Sequence, residues 1–341
     1  IVSVNSYISA YQEGFNGSAV PADLESMMQL VYLGFTQPRK DSTLFTAYIT
    51  KQRGIIKNLL ADPENYFIDQ YTRVRTQNNP RADMMIPTED DIDKINYNRV
   101  FEIYNDRFSD ASGFTFFFVG SFNTDSLKPL IETYLASLPS QKRTESWKDM
   151  GIRPPSGKVD KQVYKGKDPK SLVAMYFEVN VPWDPMESHM FSSLGQLLDI
   201  RYTEVLREQM SGIYGMGVNL SLVKIPYNHL EVSIMIPCSP QNTETLTKAA
   251  IDEIIKIQKE GVSTEDLNKI KEAQRRALEN NLRENSYWIG QLVEVYRLGD
   301  PGLITGYAGR IESVTSEKIQ EAAKKINLKK YVRVVLYPEK E

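Results

Sequence analysis

The sequence predicts an α+β protein built from two homologous domains, each an antiparallel-rich sheet with helices packed on one face. Strands that alternate apolar and polar residues are followed by runs of helix, which is the order expected of an α+β fold. The same order of elements occurs twice, offset by roughly 215 residues, which indicates a duplicated domain rather than a solenoid. The length of 341 residues also favours two domains, because one hydrophobic core rarely grows that large.

The second half of the sequence contains one full set of elements. An alternating strand over residues 171–181 precedes a helix from 186 or 187 to 210, whose apolar residues recur every three or four positions and which ends at Gly212. The elements predicted after it are strands 217–225 and 229–236, a helix over 242–259 that stops at Gly261, a helix capped by Ser263 and Thr264, further helix to about 325, and a closing strand over 331–337.

The first half repeats this order without its opening. Its predicted elements are strands 3–11 and 15–20, helices 23–33, 41–60, 64–77 and 91–108, a capping box at Thr88 and Asp91, and a strand over 114–120. Residue 1 aligns with about residue 214, so we expect the first copy to lack the equivalents of residues 163–212 and the chain to begin inside a domain. The predicted domains are 1–145, truncated, and 155–341, complete, joined through the Pro-, Gly-, Ser- and charge-rich residues 139–158.

Composition excludes several classes of protein. A net charge of −3 gives no basic field to attract nucleic acid or anionic lipid. No apolar run approaches the ~20 residues that span a bilayer, so no membrane span is predicted. The single cysteine, Cys238, rules out a disulfide framework within the chain, and its place at the end of an apolar strand predicts a small buried side chain.

The residues needed for catalysis are scarce. A hydrolytic zinc site needs several imidazole, carboxylate or thiolate ligands that converge on one point. The only two histidines, His189 and His229, are far apart in sequence, and neither has a second histidine at helical spacing. No G-x-S-x-G elbow or phosphate-binding loop occurs. The sequence therefore predicts no metal ligand and no catalytic residue in this chain.

Two polar residues near the end of the predicted helix remain, Arg207 and Tyr214. Arg207 can be explained structurally as a cation in the last turn of a helix, where the helix dipole favours it. Tyr214 can be explained structurally as a half-buried aromatic residue with its hydroxyl in water. The residue pattern by itself leaves a structural and a functional interpretation open for both.

Three stretches resemble one family of proteins, the pitrilysin or insulinase zinc metallopeptidases, also called inverzincins, whose zinc motif is H-x-x-E-H. They are residues 15–41, 113–139 and 206–218, the last reading LREQMSGIYGMGV. Family members with this layout have four homologous domains in two halves, which close around an unfolded peptide, and only the first half carries zinc. This chain resembles the second half, so the resemblance implies that it contains the third and fourth domains, neither of them catalytic.

The resemblance also implies a role for the polar pair. Arg207 and Tyr214 would reach the active site of the first half and hold the peptide backbone beside the scissile bond. A guanidinium and a phenol hydroxyl can both donate to a carbonyl that becomes an oxyanion. The implied partners are the catalytic N-terminal half of the same polypeptide and unfolded peptide substrates.

The same resemblance places the zinc of the full-length protein outside this chain. We expect the chain alone to bind no stoichiometric zinc and to cleave no peptide unaided. The alternative is a catalytically inactive binding or scaffold subunit of the same family, and an intact upstream H-x-x-E-H motif would distinguish the two. A bacterial protein of this layout is expected in the periplasm or cell envelope, with the cytoplasm as the alternative. The resemblance also implies that the pocket that sets cleavage preference belongs to the first half.

Overall fold

The structure, a computed structural model, describes residues 1–209 and 216–340, and the side chains of all of these except 207–209. It divides into two compact units. Unit 1 comprises Ile1–Asn58 and Pro87–Lys148, and unit 2 comprises Leu59–Ile86 and Asp149–Glu341. One division falls inside the predicted linker, but the predicted first domain, 1–145, is interrupted because residues 59–86 belong to unit 2. The equivalence of these units to the third and fourth domains of a longer protein stays a prediction.

The elements up to residue 148 begin with a strand pair and continue as helices. In chain order they are β1 (Ser3–Ile8), β2 (Glu13–Ser18), α1 (Leu24–Thr36), α2 (Ser42–Ala61), α3 (Pro63–Arg75, in unit 2), α4 (Glu89–Asp93), α5 (Tyr97–Phe108) and α6 (Thr124–Leu130), the last continuing as a π-helix over Ile131–Leu135. The predicted helix 91–108 is interrupted because Asn96 caps α5 by accepting from the amide of Arg99. The predicted capping box at Thr88 and Asp91 is confirmed.

Aromatic side chains form the core of unit 1. Phe108 is 1% exposed, and its ring packs against those of Phe15, Phe35 and Phe114 at centroid distances of 4.8 to 6.0 Å. Strands β1 and β2 pair antiparallel, with Ser3 opposite Ser18. The predicted strand over 114–120 is not formed, although Phe114 packs in this core. Its counterpart in unit 2 is hydrogen-bonded between two strands, whereas the described part of unit 1 supplies no such neighbours for 114–120.

Unit 2 contains a larger sheet and most of the helical residues. In chain order its further elements are β3 (Lys158–Tyr164), β4 (Ser171–Val179), α7 (Pro185–Tyr202), a π-helix (Thr203–Gln209), β5 (Gly217–Val223), β6 (His229–Cys238), α8 (Thr243–Glu260), α9 (Thr264–Asn281), α10 (Asn285–Leu298), α11 (Gly302–Thr305), α12 (Tyr307–Glu312), α13 (Ser316–Lys324) and β7 (Tyr331–Tyr337). The helix stop at Gly261, with φ of 72°, and the cap at Ser263 are confirmed.

The sheet of unit 2 has the strand order β3-β7-β4-β6-β5. Pairing is antiparallel between β4 and β6, β4 and β7, and β5 and β6, but β3 runs parallel to β7. Strand β3 was not predicted, because its charged sequence KVDKQVY continues the polar linker. Cys238 is buried at the end of β6 as predicted, and burial raises the pKa of its thiol to about 11.

Helices cover both faces of this sheet. Alternate residues of β4, such as Val173 and Phe177, face a core shared with α7, α8 and α13. Their neighbours, including Ala174 and Tyr176, form a second core with Phe67 of α3. The predicted α+β class with an antiparallel-rich sheet is confirmed. The packing differs in one respect, since α3 adds a helix to the face expected to be bare.

Candidate functional site

The predicted substrate-contact pair belongs to the segment that joins α7 to β5. Helix α7 continues after Tyr202 as the π-helix Thr203–Gln209, which contains the backbone of Arg207. π-Helical turns are rare and occur frequently at functional sites. The side chain of Arg207, all of Tyr214 and the predicted helix end at Gly212 lie outside the described residues. The roles of Arg207 and Tyr214 therefore stay a prediction.

The chain on either side of this segment is fixed to the core. The hydroxyl of fully buried Tyr202 donates to the carbonyl of Ala250 over 3.0 Å. Leu206, the residue before Arg207, is also fully buried. Strand β5 starts at Gly217 and pairs along its length with β6. The described chain before and after the segment is therefore packed against the core of unit 2.

The two histidines lie on different elements of unit 2. His189 on α7 is 6% exposed, and its ring packs edge-on against Tyr307 at 5.3 Å. Burial, with the positive charge of Arg310, lowers the pKa of His189 to about 4, so it is neutral near pH 7. His229 begins β6 and is 4% exposed. The described residues around His189 do not form a catalytic set with it.

His229 lies instead within a polar cluster, Glu178, His229 and Glu231, which we call the EHE cluster. One potential metal-binding atom from each residue lies within 4.8 Å of the others. Residues 229 and 231 share a face because side chains alternate along β6, and the β4–β6 ladder places Glu178 opposite Glu231. Sequence reasoning missed this cluster because it tested histidine pairs at helical spacing. The H-x-E spacing on an alternating strand was the available signal.

Two tyrosines complete the surroundings of the EHE cluster. The Tyr227 hydroxyl donates to Glu178 over 2.8 Å, and the Tyr176 hydroxyl lies 2.9 Å from Glu178 and 3.0 Å from Glu231. Burial, reinforced by these carboxylates, raises the pKa of both phenols far above the ordinary value. Both therefore keep their protons and act as donors.

The acid and base of the EHE cluster influence each other. Burial by itself would lower the pKa of His229, but its hydrogen bonds to Glu231 and to the Tyr227 carbonyl raise the pKa overall. Burial by itself would raise the pKa of Glu231, but the hydrogen bond from His229 and the charge of Arg75 lower it overall. The cluster therefore favours an ionised carboxylate beside a positively charged group.

A cavity of about 330 Å³ lies on the same face of the sheet, farther along β6. It is lined mainly by apolar atoms, and the lining residues are Ile68, Tyr71, Thr72, Arg75, Met84, Gly217, Val218, Asn219, Ser233, Ile234 and Met235. Arg75 links it to the EHE cluster, because its guanidinium lies 4.9 Å from the ring centre of Tyr176. The described part of the chain contains no helix long and apolar enough to cross a membrane.

Residues 94–274, just over half of the chain, match the family "Peptidase M16 inactive domain". The chain belongs to this family, the pitrilysin-like M16 peptidases, as the resemblance predicted. The family's zinc motif is absent from the sequence, and the described residues do not reproduce its ligand set.

Curated relatives of the chain are named as zinc proteases. "Zinc protease PQQL-like" of Arabidopsis thaliana is 27% identical over 94% of this chain and 36% of its own length. "Probable zinc protease PqqL" of Haemophilus influenzae is 25% identical over 72% of this chain and 26% of its own length. The chain thus spans about a third or less of the curated relatives that it matches.

Solved structures share the fold over nearly the whole chain. The periplasmic protease PqqL from Escherichia coli superposes with a TM-score of 0.84 at 20% identity, covering 99% of this chain and 37% of that one. A peptidase M16 inactive domain from Pseudomonas fluorescens gives a TM-score of 0.79 at 15% identity, covering 99% and 81%. The first half of Escherichia coli PqqL also matches, with a TM-score of 0.71 at 17% identity over 98% of this chain and 75% of that one. The chain thus shares its fold with both the whole Escherichia coli protein and its first half.

Proposed function

We propose that this chain serves as the non-catalytic half of a zinc-dependent endopeptidase and contributes peptide contacts to an active site carried by a partner half. The observation that carries the proposal is the match to the M16 inactive-domain family over residues 94–274. The zinc-protease names of the curated relatives support the enzyme over a scaffold subunit. The substrate class is an unfolded peptide, and the zinc belongs to the partner half.

Arg207 and Tyr214 are the residues proposed to contact the peptide. The π-helix that contains Arg207 and the packed elements on both sides of the segment support this role. A guanidinium and a phenol hydroxyl placed beside a scissile carbonyl would stabilise the oxyanion of the tetrahedral intermediate. Such donors act most strongly in a closed, water-excluding site. The periplasm is proposed as the compartment, as in the similar Escherichia coli protein.

The test is a double substitution, Arg207→Ala with Tyr214→Phe, in the full-length protein that contains both halves. We expect kcat/KM for an unfolded peptide to fall by roughly 100-fold, the usual effect of removing an oxyanion donor. Zinc content should not change. The matched control is Arg276→Ala, an exposed arginine on α9 that pairs only with Glu272 among the described residues.

Two results would contradict the proposal. Unchanged kcat/KM in the double variant would refute the roles of Arg207 and Tyr214. A full-length protein without an H-x-x-E-H motif and without peptidase activity would favour the scaffold function instead.

A further inference from the structure

We propose that the EHE cluster of unit 2 binds a divalent transition-metal ion of the Zn²⁺ type, at a site separate from any catalytic zinc. Sequence reasoning had predicted no metal ligand in this chain, so the inference revises that expectation. It depends on side chains of unit 2 alone and is independent of the proposed peptidase role.

The hydrogen atoms of His229 provide the first argument. Its Nδ1 lies 2.9 Å from the backbone carbonyl of Tyr227, and a carbonyl only accepts, so Nδ1 carries the hydrogen. In the neutral ring the lone pair is then on Nε2, which lies 3.1 Å from a carboxylate oxygen of Glu231. Two lone pairs that face each other at this distance need a positive charge between or beside them. A metal ion and a proton are the two candidates.

The second argument is the support around the three groups. A metal-binding histidine usually donates its other ring N–H to a backbone carbonyl or a carboxylate, and metal-binding carboxylates are themselves hydrogen-bonded. His229 meets the first condition through Tyr227, and Glu178 meets the second through the hydroxyl of Tyr227. Tyr227 therefore orients two of the three ligands at once.

The single proton of Tyr176 provides the third argument. Its hydroxyl oxygen is within hydrogen-bond distance of both Glu178 and Glu231, but one O–H can donate to only one of them. The other carboxylate then faces an oxygen lone pair, and the two glutamates are also directly opposed across the β4–β6 ladder. Like charges directly opposite in a sheet are destabilising, and a bound cation would remove this repulsion.

The nearby arginines act on the two glutamates through their charge but do not pair with them directly. Arg153 is ion-paired with Asp149 over 2.5 Å and stacks on the Tyr227 ring, with its guanidinium carbon 3.4 Å from the ring centre. Arg75 stacks on the Tyr176 ring. In the described part of the chain neither arginine forms an ion pair with Glu178 or Glu231. A metal ion would displace the proton that His229 shares with Glu231, which leaves a neutral imidazole and two negative charges as ligands. The side chain of Glu231, 31% exposed, gives access from solvent.

The donor set determines which ion fits. One imidazole nitrogen with two carboxylates suits Zn²⁺, Co²⁺ or Ni²⁺, whereas Mg²⁺ and Ca²⁺ prefer oxygen ligands alone. Three protein ligands leave a further position for water, as in open zinc sites.

The test is equilibrium dialysis of the 341-residue chain against Zn²⁺, combined with proton NMR of its two histidine rings. We expect one equivalent of Zn²⁺ to bind and to shift the His229 ring signals, with those of His189 serving as an internal reference. His229→Asn keeps an N–H donor near the Nδ1 position but removes Nε2, and Glu178→Gln removes one carboxylate charge. Each should weaken binding by more than about 100-fold, and Tyr227→Phe by about tenfold.

Glu312→Gln is the matched control, because Glu312 is an exposed glutamate that pairs with Arg275 on another part of unit 2. Its affinity for Zn²⁺ should equal that of the unaltered chain. The proposal is overturned if the unaltered chain binds no stoichiometric Zn²⁺, because the positive charge in the cluster is then a proton. It is also overturned if either ligand variant keeps the original affinity, or if Zn²⁺ leaves the His229 signals unchanged. The NMR result on the unaltered chain decides the question even if a variant fails to fold.

Discussion

The two units differ in how completely their strands are paired. In unit 2, β4 has a hydrogen-bonded strand on each side and helices on both faces. In unit 1, β1 and β2 have only each other among the described residues, and β1 is mostly exposed. Residues 114–120 and 331–337 both read as strands, yet only the second group is one, because it lies between β3 and β4. Strand propensity therefore becomes structure only where partner strands exist.

The largest expected effect concerns how tightly the side chains of the two units are packed. Phe177 is fully buried on β4, so Phe177→Ala should lower the free energy of unfolding of unit 2 by about 3–5 kcal/mol. The matched change in unit 1 is Phe116→Ala, at a half-buried residue of the segment 114–120. It should lower the free energy of unfolding of unit 1 by about 1–2 kcal/mol. Urea unfolding followed separately in each unit by hydrogen exchange provides the measurement. Equal losses at the two sites would mean that the difference in pairing has no energetic counterpart.

A smaller effect concerns the strands themselves. Backbone amides in the middle of β4 and β6 should exchange with deuterium at least about 100-fold more slowly than those of β1 and β2, since each tenfold corresponds to about 1.4 kcal/mol of opening free energy. An isolated two-stranded hairpin is only marginally stable in water. Mass spectrometry of peptides from the four strands measures the difference. Comparable protection in β1 and β2 would contradict the interpretation that unit 1 has the weaker sheet.

The smallest effect is a pH dependence that separates the units, because both histidines are in unit 2. The pKa of His189 is lowered from 6.5 to about 4, so below pH 6.5 the unfolded chain binds a proton that the folded chain rejects. Stability of unit 2 should therefore fall as the pH drops from 6.5 to 4, by about 1–2 kcal/mol after solvent screening.

The control for this effect is His189→Leu. This substitution should remove the loss of stability of unit 2 between pH 6.5 and 4 that is due to His189, and it should leave the stability of unit 1 unchanged. In unit 1, hydrogen bonds from the amides of Gln141 and Ser112 hold the pKa of Asp110 well below its usual range. Its contribution is present above pH 3.8 and is lost only at lower pH, so acid should affect unit 2 first. An identical pH profile for His189→Leu and the unaltered chain would exclude this role for His189.

The sequence predicted what local signals determine. The capping box at Thr88 and Asp91 and the stop at Gly261 depend on neighbouring residues, and both are confirmed. Strand β4 forms as predicted, but its alternating sequence suggested a half-buried strand, whereas the structure buries both of its faces. Family membership was also predictable, because several stretches resemble the family in the right order. The parallel strand β3 was not, since its pairing with β7 depends on residues more than a hundred positions away.

The site was predicted less completely than the fold. Arg207 and Tyr214 were selected by resemblance, and their side chains lie outside the described residues. The EHE cluster was missed because Glu178 and His229 are brought together by the β4–β6 ladder and not by sequence spacing. Only the pair His229 and Glu231 could have been recognised from the sequence, as two polar residues on one face of a strand.

The path of the chain between the units has a consequence for dissecting the protein. The polypeptide crosses from one unit to the other after Asn58, after Ile86 and after Lys148. A cut in the linker alone would leave residues 155–341 without α3, exposing the apolar sheet face that Phe67 covers. Such a piece would tend to aggregate through the exposed face. A piece that preserves the core of unit 2 therefore has to include residues 59–86 as well as 149–341.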